Sequence, residues 1–133
     1  MGKHNELGQK GEDLAARYLT EKGFQILERN WRHGRAELDI IAFDGETLVF
    51  VEVKTRSDDV FERPENAVNT RKRNLMIKAA IGYMHKSGHD KAIRFDVVSV
   101  ILRGGKEAQI DYFKDAFFPE LAEWFWVGAV HFF

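Results

Sequence analysis

Residues 36–56 of the chain read AELDIIAFDGETLVFVEVKTR, and this stretch decides the fold. It contains two apolar runs rich in Ile, Val and Phe, 38–43 and 47–53, which are typical of buried strands. The dipeptide Asp44-Gly45 between them is a strong signal for a tight two-residue turn. We therefore predict a β-hairpin across this stretch.

The charged residues of this hairpin are predicted to gather on one face. If the turn is formed by Asp44-Gly45, Glu37 lies opposite Glu52 on the paired strand. Because side chains two residues apart on a strand share a face, Asp39 and Lys54 join them. Three carboxylates on one face repel one another, and a bound divalent cation relieves that repulsion. The alternative is an exposed ladder of salt bridges without a ligand.

If a metal ion binds at this face, each residue can have a distinct chemical role. Asp39 and Glu52 can each supply a carboxylate oxygen to Mg²⁺ or Mn²⁺, and the backbone carbonyl of Val53 can supply a third. Such an ion polarises a phosphoryl group and lowers the pKa of a water molecule. Lys54 can then orient that water and stabilise the charge that develops on the phosphate.

The segments around the hairpin extend it into a mixed domain. Periodic apolar residues predict two helices, and β-branched runs predict three more strands. The elements in chain order are a helix at 5–22, a strand at 24–29, the hairpin, a loop at 60–69, a helix at 70–84, and strands at 92–102 and 108–113. We expect an α/β (α+β) fold, in which one mixed sheet is flanked by helices.

Composition limits the class of protein. The 133 residues include no cysteine, which fits one domain and excludes disulfides and thiolate metal sites. Hydrophobic residues make up 44% of the chain, too many for a disordered protein. The longest strongly apolar stretch, 124–133, is shorter than the roughly 20 residues of a membrane-spanning helix. Since the first ten residues also lack a signal-peptide core, we expect a cytoplasmic protein that does not enter a membrane.

The formal net charge of −1 conceals two segments of opposite sign. Residues 37–53 contain five acidic and no basic residues, whereas residues 54–91 contain nine basic and five acidic residues. This order suits a protein that holds a divalent cation beside a polyanion. The alternative is a set of ordinary solvated faces of mixed sign.

Several blocks in order resemble one known family. The spacing from Asp39 to Glu52-Val53-Lys54 is similar to the D…ExK signature of the PD-(D/E)XK nuclease superfamily. More specifically, the chain resembles the YraN family (UPF0102) over about residues 5–118. The blocks that carry this resemblance are GQKGEDLAA at 8–16, NWR at 30–32, AELDIIA at 36–42, LVFVEVKTR at 48–56 and RFDVVSV at 94–100.

The resemblance implies a restriction-endonuclease-like core, related to archaeal Holliday-junction resolvases, with Mg²⁺-dependent nuclease activity. It implies Asp39, Glu52 and Lys54 as the catalytic residues. Glu12 and Glu37 match further family acids that can add to the metal site. The resemblance therefore points to hydrolysis of DNA at branched or damaged structures, in DNA repair or recombination.

One threonine and four basic residues beside the acidic segment are candidates for sequence-independent contacts with DNA phosphates. These candidates are Thr55, Arg56, Arg71, Lys72 and Arg73. Two rival functions remain open at this point. One is a nuclease-like module that binds nucleic acid without cleaving it, and the other is a protein-interaction adaptor in which the carboxylates are incidental.

The end of the chain is unusually apolar. We predict a nuclease domain at 1–119 and a separate apolar tail at 120–133, which lies beyond the family resemblance. Its large side chains can pack on the core or mediate self-association. We expect a homodimer with the tail at or near its interface, because two-fold dimers are the commonest result of a shared apolar patch.

Overall fold

The computed structural model describes residues 3–57 and 69–117, without the side chains of residues 3–5. Two helices and five strands make up these parts of the chain. In order they are α1 (Lys3–Glu21), β1 (Gln25–His33), β2 (Ala36–Asp44), β3 (Thr47–Ser57), α2 (Thr70–Ser87), β4 (Ile93–Leu102) and β5 (Gln109–Phe117). The predicted order of helix, strand, hairpin, helix and two strands is confirmed.

The five strands form one mixed sheet in the order β1-β2-β3-β4-β5. All neighbours are antiparallel except β3 and β4, which run parallel and are joined through α2. A parallel pair needs such a crossover, because a tight turn cannot return the chain to the starting edge. This is the predicted α/β arrangement, and it is consistent with a restriction-endonuclease-like core.

The central hairpin differs from its prediction by one residue at the turn. Its last pair is Asp44 with Thr47, so the two turn residues are Gly45 and Glu46. Gly45 has a φ of 62°, in the left-handed region that glycine tolerates. The predicted register was therefore wrong by two positions, although odd and even residues keep their predicted pairing.

The helices cover opposite faces of the sheet and create two separate apolar clusters. One cluster joins α1 to the sheet, and its central members are Ala15, Leu19, Ile40, Val49, Val51, Val98 and Val100. The other joins α2 to the opposite face, and its central members are Leu38, Ile41, Phe50, Met76, Ala80 and Phe95. Because both faces are covered, β3 is apolar on both sides over most of its length, as a buried strand requires.

Helix α1 packs in very close contact with β3 at Gly11. A Cβ atom placed on Gly11 would lie 1.8 Å from Thr55 Oγ1 and 2.7 Å from Thr55 Cβ. These distances are far inside van der Waals contact, so only glycine allows the helix to approach this closely. This close contact between Gly11 and Thr55 also fixes the position of the next residue, Glu12.

We expect Gly11→Ala to lower the free energy of unfolding by about 1–3 kcal/mol, the usual cost of overpacking. Gly8→Ala is the matched control, because it lies in the same helix and a Cβ there would meet nothing within 4 Å. Alanine at that position removes a glycine from a helix interior and is expected to be neutral or stabilising. Urea unfolding of both variants is the measurement, and equal stabilities would contradict the close contact between Gly11 and Thr55.

Three sequence predictions fall partly or wholly outside the described residues. They are the loop at 60–69, the apolar tail at 120–133 with its proposed dimer, and the domain boundary at 119. They remain predictions. Among the described residues, neither helix is long and apolar enough to cross a membrane.

Candidate active site

The carboxylate of Asp39 replaces the backbone pairing between β2 and β3. Pairing of the two strands begins at the turn and ends at Ile40 with Val51. Beyond that point, Asp39 Oδ2 accepts a 2.8 Å hydrogen bond from the backbone N–H of Val53. Since the N–H and C=O of a strand residue point toward the same neighbour, the Val53 carbonyl faces the same gap.

Asp39 and Glu52 come together in this gap. The register of the hairpin, continued by one step, places Asp39 opposite Glu52, and their carboxyl groups are within hydrogen-bonding reach. Burial, the hydrogen bond with Glu52 and the charge of Glu52 together raise the pKa of Asp39 to about 9. The Asp39 carboxyl therefore holds a proton at neutral pH, as one of two closely placed acids does.

Lys72, in the first turn of α2, is the cation that faces this pair. Its Nζ lies 2.8 Å from Glu52 Oε2, and the Glu52 side chain is only 7% exposed. Burial alone would lower the pKa of Lys72, but the charges of Glu52 and Asp39 outweigh it, so the pKa is raised. The Asn69 side chain caps α2 by accepting a 2.9 Å bond from the Lys72 backbone N–H, which fixes this turn.

Glu12 and Glu37 border the pair on its other side. Burial, and then the charge of Asp39, raise the pKa of Glu12. Within the described part of the chain, Glu12 Oε1 is buried and has no hydrogen-bond partner. The charge of Glu37 acts on Glu12 and on Lys72, while its own carboxylate pairs with Arg32 at 3.1 Å.

Asn30 is a site residue that the sequence reasoning missed. The predicted strand ends at Arg29, but β1 continues to His33 with Asn30 at a φ of 53°. Asn30 lies opposite Asp39, between the flanking backbone pairs of β1 and β2, and its side chain hydrogen-bonds Glu12. Asparagine tolerates this left-handed conformation better than most residues, so an asparagine between strand residues was the available signal.

The strand alternation breaks at the same level of the sheet. Leu38 packs in the α2 cluster and Ile40 in the α1 cluster, although the two residues are two positions apart and should share a face. The strict two-residue rule behind the predicted shared face of Glu37 and Asp39 therefore does not hold across Asp39. Asp39 reaches Glu52 through the local distortion of β2 opposite Asn30.

The remaining predicted site residues lie around this centre. Lys54 is half-buried, and regular alternation along β3 directs it to the same side as Glu52. Thr55 packs against Gly11 under α1, which gives it a structural contact.

The predicted basic contacts lie farther along the chain. Arg71 is exposed at the start of α2, and Arg56 and Arg73 are half-buried with partners of their own. Their contacts with a nucleic acid remain predictions.

The oxygen atoms at the centre suit a hard divalent cation. No group of three His, Cys, Asp or Glu side chains among residues 3–57 and 69–117 is arranged to hold a metal ion by itself. Mg²⁺ does not need such a group, because it binds through one or two carboxylates and keeps several waters. Asp39, Glu52 and the Val53 carbonyl form a donor set of that kind, with Glu12 Oε1 buried beside it without a hydrogen-bond partner in the described structure.

A second polar cluster, on the α1 side of the sheet, is closed to ligands. Asp96 is completely buried and accepts hydrogen bonds from Arg94 Nε at 2.9 Å, from the Tyr112 hydroxyl and from the Asp115 backbone N–H. Arg94 also pairs with Asp44 at 3.0 Å. These contacts tie β2, β4 and β5 together and satisfy the buried carboxylate, so we assign the cluster a structural function.

Comparison with known proteins places the chain among relatives of similar length. The model of the uncharacterised protein family UPF0102 matches residues 11–100. A UPF0102 protein from Bacteroides thetaiotaomicron is 47% identical over 121 residues, which cover 91% of this chain and 99% of that protein. The chain belongs to the UPF0102 family. The UPF0102 region includes the whole cluster around Asp39 and Glu52, from Glu12 to Lys72.

Two further UPF0102 proteins show the same extent of similarity. One, from Flavobacterium psychrophilum, is 45% identical over 118 residues and is matched over 98% of its length. The other, from Rhodococcus jostii, is 47% identical over 116 residues, again over 98% of its length. They cover 89% and 86% of this chain. The family resemblance expected from the sequence blocks is thereby confirmed.

Proposed function

We propose that this UPF0102 protein is a metal-dependent nuclease that hydrolyses DNA phosphodiester bonds. The observation that carries the proposal is the buried Asp39–Glu52 pair, held beside the Val53 backbone at the end of strand pairing. A pair of buried acids is costly to a fold, and such perturbed groups cluster at functional sites. The apolar cores on either side of the sheet would be complete without them.

The donor set indicates which cofactor the site would take. Asp39, Glu52 and the Val53 carbonyl would hold Mg²⁺ or Mn²⁺, with Glu12 and Glu37 as further acids beside them. A divalent cation there would polarise the phosphoryl group and lower the pKa of an attacking water. Hard oxygen ligands favour these ions over the softer transition metals.

The chain's own residues supply the remaining chemistry. The Val53 N–H holds Asp39 in position, which fixes the carboxylate that must face the cation. Lys54 lies on the same side of β3 as Glu52, where its ammonium can orient the water and stabilise charge on the phosphate. Arg71, exposed at the start of α2, is placed to hold the DNA backbone without reading its sequence.

A cleavage panel tests the proposal directly. Duplex, single-stranded, flap and four-way DNA, with matched RNA, are incubated with the protein and Mg²⁺ or Mn²⁺, and then with EDTA. We expect cleavage of at least one DNA substrate that depends on the metal, with branched DNA favoured. Tight DNA binding without cleavage under any of these conditions would instead favour the non-catalytic binding module.

Arg71 gives a separate test of the DNA path. Each phosphate contact contributes a nearly fixed amount to the salt dependence of binding, because it releases condensed counterions. Arg71→Ala is expected to reduce the slope of log affinity against log salt by about one. The control is Lys86→Ala in the last turn of the same helix, and equal slopes for both variants would place the DNA elsewhere.

A further inference from the structure

Lys72 occupies an unfavourable position for a cation on a helix. The first turn of α2 carries Arg71, Lys72 and Arg73 and contains no acidic residue. The N-terminal end of a helix bears a partial positive charge, so basic side chains there are destabilising. Something outside the helix must compensate, and for Lys72 the structure identifies it as Glu52 at 2.8 Å.

The contact between Lys72 and Glu52 combines a fixed acid with a movable cation. The Glu52 side chain is 7% exposed and belongs to a continuous strand, whereas the Lys72 side chain is 45% exposed. The contact is a charged pair at 2.8 Å that joins two elements through the ends of two side chains. A lysine on a flexible four-carbon stem can leave such a partner without moving the helix.

The position of the Lys72 ammonium is also the position that a cation would take. The Lys72 ammonium interacts electrostatically with Glu52, Asp39 and Glu37 at once. A divalent ion bound to Asp39 and Glu52 would repel the ammonium over the same short distance. Binding of the ion at Glu52 therefore favours departure of the Lys72 ammonium.

We propose that Lys72 holds the place of the divalent cation in the metal-free protein, and that cation binding releases its ammonium to contact a DNA phosphate. This inference rests on the proposed metal-dependent function and deepens it, because it couples metal binding to substrate binding through one side chain. In the metal-free protein, the Lys72 ammonium then neutralises the negative charge of the Asp39–Glu52 pair. A permanent structural salt bridge would instead keep Lys72 on Glu52 in all states.

The test compares Lys72→Met with Lys78→Met. Methionine keeps the apolar stem and removes the charge, and Lys78 is an exposed lysine on the same helix, so both variants change net charge equally. Mg²⁺ binding to each protein is measured by calorimetry without DNA. We expect Lys72→Met to bind Mg²⁺ about fivefold more tightly than wild type, the fold-change that corresponds to one weak ion pair, and Lys78→Met to match wild type.

A second measurement needs only the wild-type protein. The ¹⁵N resonance of the Lys72 ammonium is identified by its absence from the Lys72→Met spectrum, and its hydrogen exchange with water is followed during a Mg²⁺ titration. We expect slow exchange in the metal-free protein and fast exchange, like that of an exposed lysine, at saturation. Slow exchange that persists in the Mg²⁺-bound protein would overturn the inference.

The calorimetric outcomes separate this inference from the proposed function. Mg²⁺ binding with equal affinity in all three proteins would overturn the displacement of Lys72 while leaving the metal site intact. Mg²⁺ binding that is detectable only in Lys72→Met would support it strongly. The absence of binding in all three would contradict both the inference and the proposed function.

Discussion

Replacing Glu52 with Gln is expected to reduce metal-dependent DNA cleavage at least about a thousand-fold. Glutamine has nearly the same shape as glutamate but carries no charge, so it cannot complete the pair with Asp39 that would hold the cation. The loss should appear in the turnover rate of any substrate that the wild-type protein cleaves. DNA affinity measured without metal should not fall, because Glu52 is an acid and its neutralisation removes the partner that holds Lys72.

Glu46→Gln provides the matched control for this experiment. It makes the same substitution on the same hairpin, in the turn, where the side chain is 83% exposed and pairs with Lys91 at 3.1 Å. We expect its cleavage rate to stay within about twofold of wild type, since an exposed ion pair contributes little. If both variants retain full activity, the active site is not at the Asp39–Glu52 pair.

Replacing Asp39 with Asn is expected to stabilise the metal-free protein at neutral and alkaline pH. The pKa of Asp39 is raised in the fold by burial and by Glu52, whereas in the unfolded chain it is close to its ordinary value. The folded state thus binds a proton that the unfolded state releases. The free energy of unfolding must therefore fall as the pH rises from about 4 toward the raised pKa, by up to about 1.4 kcal/mol per pH unit.

Asparagine removes this proton and keeps the bond to the Val53 N–H through its amide oxygen. Thermal unfolding in EDTA should therefore show a higher melting temperature for Asp39→Asn than for wild type at pH 8, by about 4 °C for each kcal/mol gained. At pH 4 the difference should vanish. Asp90→Asn, an exposed site, is the control, and a wild-type protein with the same pH profile as Asp39→Asn would contradict the shared proton.

The sequence was sufficient to predict the helices and strands of the fold. Alternating apolar runs around a glycine turn predicted the hairpin, and the helical period of apolar residues predicted α1 and α2, because each element buries one face or both. The turn was placed one residue early, since Asp44-Gly45 and Gly45-Glu46 both supply the glycine that the turn needs. The register shift of two residues changed the residue opposite Glu52 from Glu37 to Asp39.

What the sequence could not supply were contacts that depend on packing between distant segments. The Lys72–Glu52 ion pair joins α2 to β3, and nothing in a run of three basic residues distinguishes the one that turns toward an acid. The close packing of Gly11 against Thr55 likewise depends on how closely α1 approaches the sheet. Asn30 was passed over because its strained backbone conformation is set by the neighbouring strand rather than by its own segment.

The proposed function requires that Asp39 and Glu52 together hold one divalent cation. Calorimetric titration with Mg²⁺ at pH 7, in two buffers that differ in ionisation enthalpy, tests it most directly because it measures both the bound ion and the displaced proton. We expect one Mg²⁺ per chain with release of about one proton, and the loss of both in Asp39→Asn. Absence of Mg²⁺ binding in both the wild-type protein and Lys72→Met, or binding that Asp39→Asn leaves unchanged, would contradict the metal site.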